Sequence, residues 1–205
     1  MIKVAGSARR SFMFPGELPL AYAYYADVGR LLSYLPHICL VRAYGPDRFR
    51  LLYSTTELGL YHVRVFADVQ TTLEEGWVVR VRPLEDFPPV KAEAGIHATS
   101  AQGYFSSQSV FHNEGDHTRI EYSLQLRGVL PTPQGLRLMP GMLVGRVAQR
   151  ITKMRIGEIA DGFVERTSDA FPHWLAEMHN HASRRDPGEF KPTYQPEPDC
   201  PEEFL

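Results

Sequence analysis

Residues 138–178 read LMPGMLVGRVAQRITKMRIGEIADGFVERTSDAFPHWLAEM. Leu143, Val147, Ile151 and Met154, then Ile159, Phe163 and Val164, recur at helical spacing, while Arg146, Arg150, Arg155, Glu158 and Glu165 fall mostly off that stripe. Continuous from Met139 to Met178, such a helix would run about 60 Å at 1.5 Å per residue. That is longer than one small domain, so a bend is expected near Gly157, Gly162 or Pro172, most sharply at Ser168–Pro172. The GxxxG of Gly141 and Gly145 predicts close packing of this helix on sheet or loop rather than membrane dimerisation, since arginines flank it.

Upstream of the helix the apolar period is two. ICLVRAYG ends at Gly45-Pro46. In RFRLLYSTTEL, Phe49, Leu51, Tyr53, Thr55 and Glu57 share one face, with Arg48 and Arg50 opposite. YHVRVFADVQ separates Tyr61, Val63, Val65, Ala67 and Val69 from His62, Arg64, Phe66 and Asp68, and WVVRVRP sets Trp77, Val79 and Val81 against Val78, Arg80 and Arg82. Two long strands then flank a turn at Asn113–Asp116, the second alternating Ile120, Tyr122, Leu124 and Leu126 with Arg119, Glu121, Ser123, Gln125 and Arg127. The proline-rich PLEDFPPVKAEAGI, from Pro83 to Ile96, predicts a rim or lid loop.

Before these strands, ARRSFMFPG predicts a strand closed by Pro15-Gly16, and LAYAYYADVGRLLSYLPHI predicts two short helices. Asp27 is placed to N-cap the second, and Pro36 to end it. Residues 1–183 show no linker and read as one domain, whereas 184–205, RRDPGEFKPTYQPEPDCPEEFL, read as a proline-rich acidic tail.

The whole chain, 205 residues with a formal net charge of −2, has no basic excess to favour a nucleic-acid partner. Cys39 and Cys200 suit reduced thiols, and no signal peptide or membrane-spanning run is legible, so a soluble, cytoplasmic protein is expected. No Walker A or GxGxxG pattern occurs and no cofactor is implied. Ser106, Ser107 and Ser109 lack a nucleophile motif, and Glu177, His179 and His181 do not share the helix face a metal would need, so no metal site is assigned.

Strand, helix pair, a run of antiparallel strands and one long amphipathic helix is an α+β order. With the local pattern ADVGRLLSYLPHI, it resembles the START-like, or SRPBCC, helix-grip superfamily, over roughly residues 8–180. The resemblance implies a curved antiparallel sheet of about seven strands wrapped around the C-terminal helix, two short helices after strand 1, and a cavity for a hydrophobic small molecule between sheet and helix. Asp27-Val28 stands where that family more often has Asp-Pro, and the C-terminal helix is longer than usual.

For that cavity, Tyr53, Tyr61, Val63, Val65, Trp77, Val79, Phe105, Tyr122, Leu124 and Met154 are the expected ligand-binding lining by parity, Leu31 and Leu35 of the short helices cap its mouth, and 27–37 and 83–96 are the gates. The same residues could instead fill a core. Three functions follow: carriage of a lipid, pigment or polyketide-like compound; a cyclase or dehydratase using Glu57 or His97 as acid or base; or a protein-interaction module, which an exposed Phe66 would favour. A homodimer is compatible with each.

Overall fold

The computed structural model describes residues 1–183; the tail at 184–205 lies outside the described residues. Strand β1 (Ile2–Phe14) is followed by helices α1 (Leu18–Ala26) and α2 (Val28–Ser33). The strands β2 (Ile38–Ala43), β3 (Arg48–Glu57), β4 (Tyr61–Glu74), β5 (Val78–Pro83), β6 (Glu93–Ala94), β7 (Ala98–Asn113) and β8 (Thr118–Leu130) come next. A short 3-10 turn (Gln134–Leu136) leads into helix α3 (Gly141–Ser183). One sheet, in the order β1-β8-β7-β5-β4-β3-β2 with β6 paired to β7, packs against α3. This is the helix-grip architecture. No helix among the described residues is long and apolar enough to cross a membrane.

Local chemistry sets the element ends. Asp27 accepts the backbone N–H of Arg30 at 3.3 Å and pairs with its guanidinium at 2.9 Å, capping α2 as its sequence position suggests. The sheet is antiparallel except where β7 outruns the short β5: His62–Phe66 of β4 then pair in parallel with Ala98–Gln102 of β7. That pairing satisfies backbone groups which would otherwise be stranded at a gap in the sheet.

Helix α3 passes through Pro172 without interruption, so whatever bend accompanies Ser168–Pro172 does not end the helix. Thr167 and Ser168 direct their hydroxyls to carbonyls of Phe163 and Val164, holding the preceding turn together. Lengthwise the helix is tied to β1: Arg10 forms a bidentate pair with Asp161, one arm at 2.8 Å, and Gln149 donates to the Ala5 carbonyl. Close approach explains two small residues. A Cβ on Gly6 would strike the Cδ1 of Ile156, and one on Gly162 the Cγ of Pro36. Gly141 and Gly145, by contrast, have open space around them, so the GxxxG is not a packing contact.

The core is solid at one end. Phe14, Tyr24, Tyr25, Phe171 and Trp174 form a buried aromatic cluster, with ring centroids of Phe14 and Phe171 4.6 Å apart and of Tyr24 and Trp174 5.2 Å apart. The Tyr24 hydroxyl donates to the Thr167 carbonyl and the Tyr25 hydroxyl to Thr167 Oγ1, each at 3.1 Å. Tyr122 continues the cluster by stacking on Phe163 at 4.5 Å.

The 83–97 loop corrects a second expectation. Its Pro88 carbonyl accepts from Arg50, its Val90 N–H donates to Gln102, and Phe87 stacks on Tyr44 at 3.8 Å. It therefore covers the outer face of β3, β4 and β7 instead of closing over the helix side. Phe66 and Leu52, partners across that face, are buried in consequence, at 7% and 0% exposure, and Phe66 offers no exposed contact. Beneath the loop, Arg50 makes a bidentate ion pair with the buried Asp68 at 2.7 and 2.8 Å.

Two measurements check this packing. Gly157, whose added Cβ would reach only Arg10 at 3.9 Å, should tolerate alanine with a gain of about 0.5–1 kcal/mol in urea unfolding; Gly162→Val should lose about 1–3 kcal/mol against Pro36. Burial raises the phenol pKa of Tyr24, Tyr25, Tyr53 and Tyr122 in the folded state. The neutral phenols thus contribute stability that is complete below the unfolded value of about 10 and is lost as pH rises past it. In an alkaline absorbance titration these four should ionise only together with the loss of near-UV circular dichroism.

Candidate functional site

At the end away from the aromatic cluster the helix and sheet part around a cavity of about 200 Å³. Its walls come from β1 (Ile2, Val4), β3 and β4 (Tyr53, Thr55, Val63, Val65), β8 (Leu126, Leu130) and the first half of α3 (Val144, Ala148, Ile151, Ile156, Ile159). The alternation of the strands supplies the sheet side, and the i, i+4, i+7 spacing of Val144, Ala148 and Ile151 supplies the helix side. Pro133, Leu136 and Met139 of the β8–α3 connection close it from outside. That connection is held by backbone bonds from Gln134 to Gly95 at 2.9 Å and from Gly135 to Ile96 at 3.1 Å.

The charged feature of this lining is Glu57 with Arg155. Glu57, at the end of β3, is 8% exposed, and its carboxylate accepts from Arg155 Nε at 2.9 Å and Nη2 at 3.3 Å. The third arm of the guanidinium donates to Glu158 at 2.7 Å. These bonds to Glu57 and then Glu158 hold Arg155 above its ordinary pKa. Burial, then the Glu57 charge, pushes the Tyr53 phenol up as well, so Tyr53 stays a neutral phenol.

Two lining hydroxyls are tied to the backbone. Thr99 donates to the Pro131 carbonyl and Thr152 to the Ala148 carbonyl, both at 2.8 Å. Among the described residues the buried side-chain atoms without a hydrogen-bond partner, Asp27 Oδ2 and His112 Nε2, lie beside Arg30 and Glu121 and belong to residues outside this lining. No cluster of three or more metal-ligating side chains is found among the described residues. The cavity therefore presents hydrocarbon, with its ionic groups paired to each other.

Of the expected lining, Tyr53, Tyr61, Val63 and Val65 reach the cavity, as does Glu57. Leu31, Leu35, Val79, Phe105, Tyr122 and Leu124 are buried in the solid core instead, where neighbouring rings and aliphatic side chains fill the space. Trp77 sits in the β4–β5 turn at φ 61°, half-exposed against Tyr22, and Met154 points outward at 50% exposure. His97 is exposed and packs edge-on against Tyr61 at 5.6 Å, outside the lining. The segment 27–37, with helix α2, packs into the filled end, and the loop at 83–96 touches the cavity's closure only through Gly95 and Ile96.

Strand parity alone misses Ile2, Val4, Arg155 and the β8–α3 connection. A signal for β1 is present in IKVAGSA, where Ile2, Val4, Gly6 and Ala8 alternate and shrink toward the point where α3 crosses. Nothing local marks Arg155, because its partner Glu57 lies 98 positions away.

No family model matches the chain and no curated protein matches it. The chain path is similar to those of several solved structures. TTHA0849 from Thermus thermophilus is 21% identical, with 80% of this chain and 98% of that one covered and a TM-score of 0.47. The Zhui aromatase/cyclase from Streptomyces sp. R1128 is 15% identical, covering 90% and 99%, with a TM-score of 0.41. Human STARD10 is 13% identical, covering 88% and 72%, with a TM-score of 0.44.

The Glu57–Arg155 pair can be tested by a mutant cycle. Arg155→Met leaves a buried carboxylate without its donors and should cost about 1–3 kcal/mol in urea unfolding. Glu57→Gln added to Arg155→Met should recover more than half of that loss.

Proposed function

We propose that this protein binds a small apolar molecule in the cavity between the sheet and the first half of α3. The observation that supports this is the unfilled, hydrocarbon-lined space beside Tyr53, Val65, Val144 and Ile156, in a chain whose other end is packed solid. Unfilled apolar volume costs stability through lost dispersion contacts, and an apolar occupant restores them. At about 200 Å³ the space is smaller than the roughly 300–1,000 Å³ of drug-sized ligand pockets, which favours a single-ring or short-chain compound over a two-chain lipid.

An acid–base role for Glu57 is the weaker reading. Its two oxygens are taken by Arg155, so proton transfer would first require that pair to open. Binding and release need no such step; they need the β8–α3 connection to move, and two backbone hydrogen bonds to Gly95 and Ile96 hold it there.

N-phenyl-1-naphthylamine, a neutral apolar fluorophore, tests the cavity directly. It should bind with a blue-shifted, saturable signal. Ala148→Trp, which projects an indole from the helix side, should weaken that binding at least about tenfold, the equivalent of 1.4 kcal/mol. Equal binding by both proteins, with the variant folded by circular dichroism, would refute the reading.

A further inference from the structure

From Glu121 to Glu158 the chain carries no acidic residue, while Arg127, Arg137, Arg146, Arg150, Lys153 and Arg155 fall between them. The net charge of −2 conceals this, because the acids are elsewhere. The fold gathers part of the basic stretch into a single shallow groove, where the beginning of β1 meets the β8–α3 connection and the first turns of α3. Lys3, Arg137 and Arg146 line it with Met139, Met142 and Thr132, and no Asp or Glu does. The α-amino group of Met1 lies at the same place, donating to Thr132 Oγ1 at 3.1 Å.

The apolar side chains here are turned to water. Leu138 is 98% exposed, Met142 72% and Leu143 47%. Gly141 and Gly145 leave the helix surface between them bare. Among the described residues Lys3, Arg137, Arg146 and Arg150 form no ion pair, unlike Arg10, Arg50, Arg80, Arg119 and Arg155. Protruding Leu and Met ringed by unpaired cations is an unfavourable surface in water.

We propose that this face, made by residues 137–146 with the beginning of β1, docks on an anionic lipid surface. Leu138 and Met142 enter the boundary between headgroups and acyl chains, and Lys3, Arg137 and Arg146 meet the lipid headgroup charges. Charge decides among occupants. A second copy of this chain would bring the same cations against themselves, and a nucleic acid would satisfy the cations while leaving Leu138 and Met142 against phosphates. An anionic bilayer supplies both an opposite charge and an apolar layer a few ångströms beneath it. The groove shares Ile2, Leu136, Met139 and Val144 with the cavity wall, so docking here would set the cavity's closure against the lipid.

Co-sedimentation of the full chain with phosphatidylcholine vesicles, with and without phosphatidylserine, tests the proposal with no cargo present, so its outcome is separate from that of the cavity reading. The protein should pellet with the anionic vesicles only, and high salt should release it. Arg137→Gln with Arg146→Gln should weaken binding roughly 25-fold, about fivefold for each charge. Leu138→Ser with Met142→Ser should weaken it with every charge retained, and Arg9→Gln, on the exposed part of β1, should leave it unchanged. All five positions are exposed, so the variants should keep the wild-type circular dichroism. Absence of sedimentation with anionic vesicles, equal sedimentation with neutral ones, or undiminished binding by the groove variants overturns the proposal. Lipid-free dimerisation in analytical ultracentrifugation that the same variants abolish also overturns it and assigns the face to a second copy.

Discussion

Thr167 receives two tyrosines at once: Tyr25 donates to its hydroxyl, Tyr24 to its carbonyl, and the Thr167 hydroxyl in turn donates to the Phe163 carbonyl. These bonds let two phenols be fully buried, each with a partner, against the second half of α3. The aromatic cluster of Phe14, Phe171 and Trp174 could not close around them otherwise. With that end pinned, the position of the long helix on the sheet is fixed, and Gly162 slides under Pro36 as a consequence.

The filled end determines where a cavity can be. Large rings occupy the space beneath α1 and α2, whereas the opposite end has branched aliphatic side chains of modest size on β1, β4, β8 and α3. Aliphatic walls at helix–sheet distance leave a void that rings would have filled. Its boundary is completed by an ion pair in place of hydrocarbon, because Glu57 ends a strand near the surface and Arg155 can bury its stem while extending its guanidinium to that edge. The same half of the molecule carries the acid-free stretch and the exposed Leu138 and Met142.

Periodicity is a good guide to strands here and a poorer one to depth. The faces of β3 and β4 are as their alternation implies, with Tyr53, Thr55, Val63 and Val65 all toward the helix. Yet parity cannot say how far along a strand the core is solid, so Val79, Phe105, Tyr122 and Leu124 share a face with the lining and are packed shut. Phe66 shows the converse limit. Its parity puts it outside, and the outside is covered by a loop whose path depends on Arg50 and Gln102. The apolar stripe expected on α3 is slightly out of phase at its start, because Leu143 and Met154 face solvent while Val144, Ala148 and Ile151 face the cavity.

By itself the sequence determined the element order, the caps at Asp27 and the turns, the two-faced strands and the long helix, since each follows from interactions within a few residues along the chain. It also carried the Ile2, Val4, Gly6, Ala8 taper that marks a helix crossing. Only the tertiary structure decided which end is hollow, that Glu57 is neutralised by Arg155, and that Lys3 joins Arg137 and Arg146 in one groove. Those outcomes rest on contacts between residues about a hundred or more positions apart. Their geometry is set by how the rings at one end pack, which no local period records.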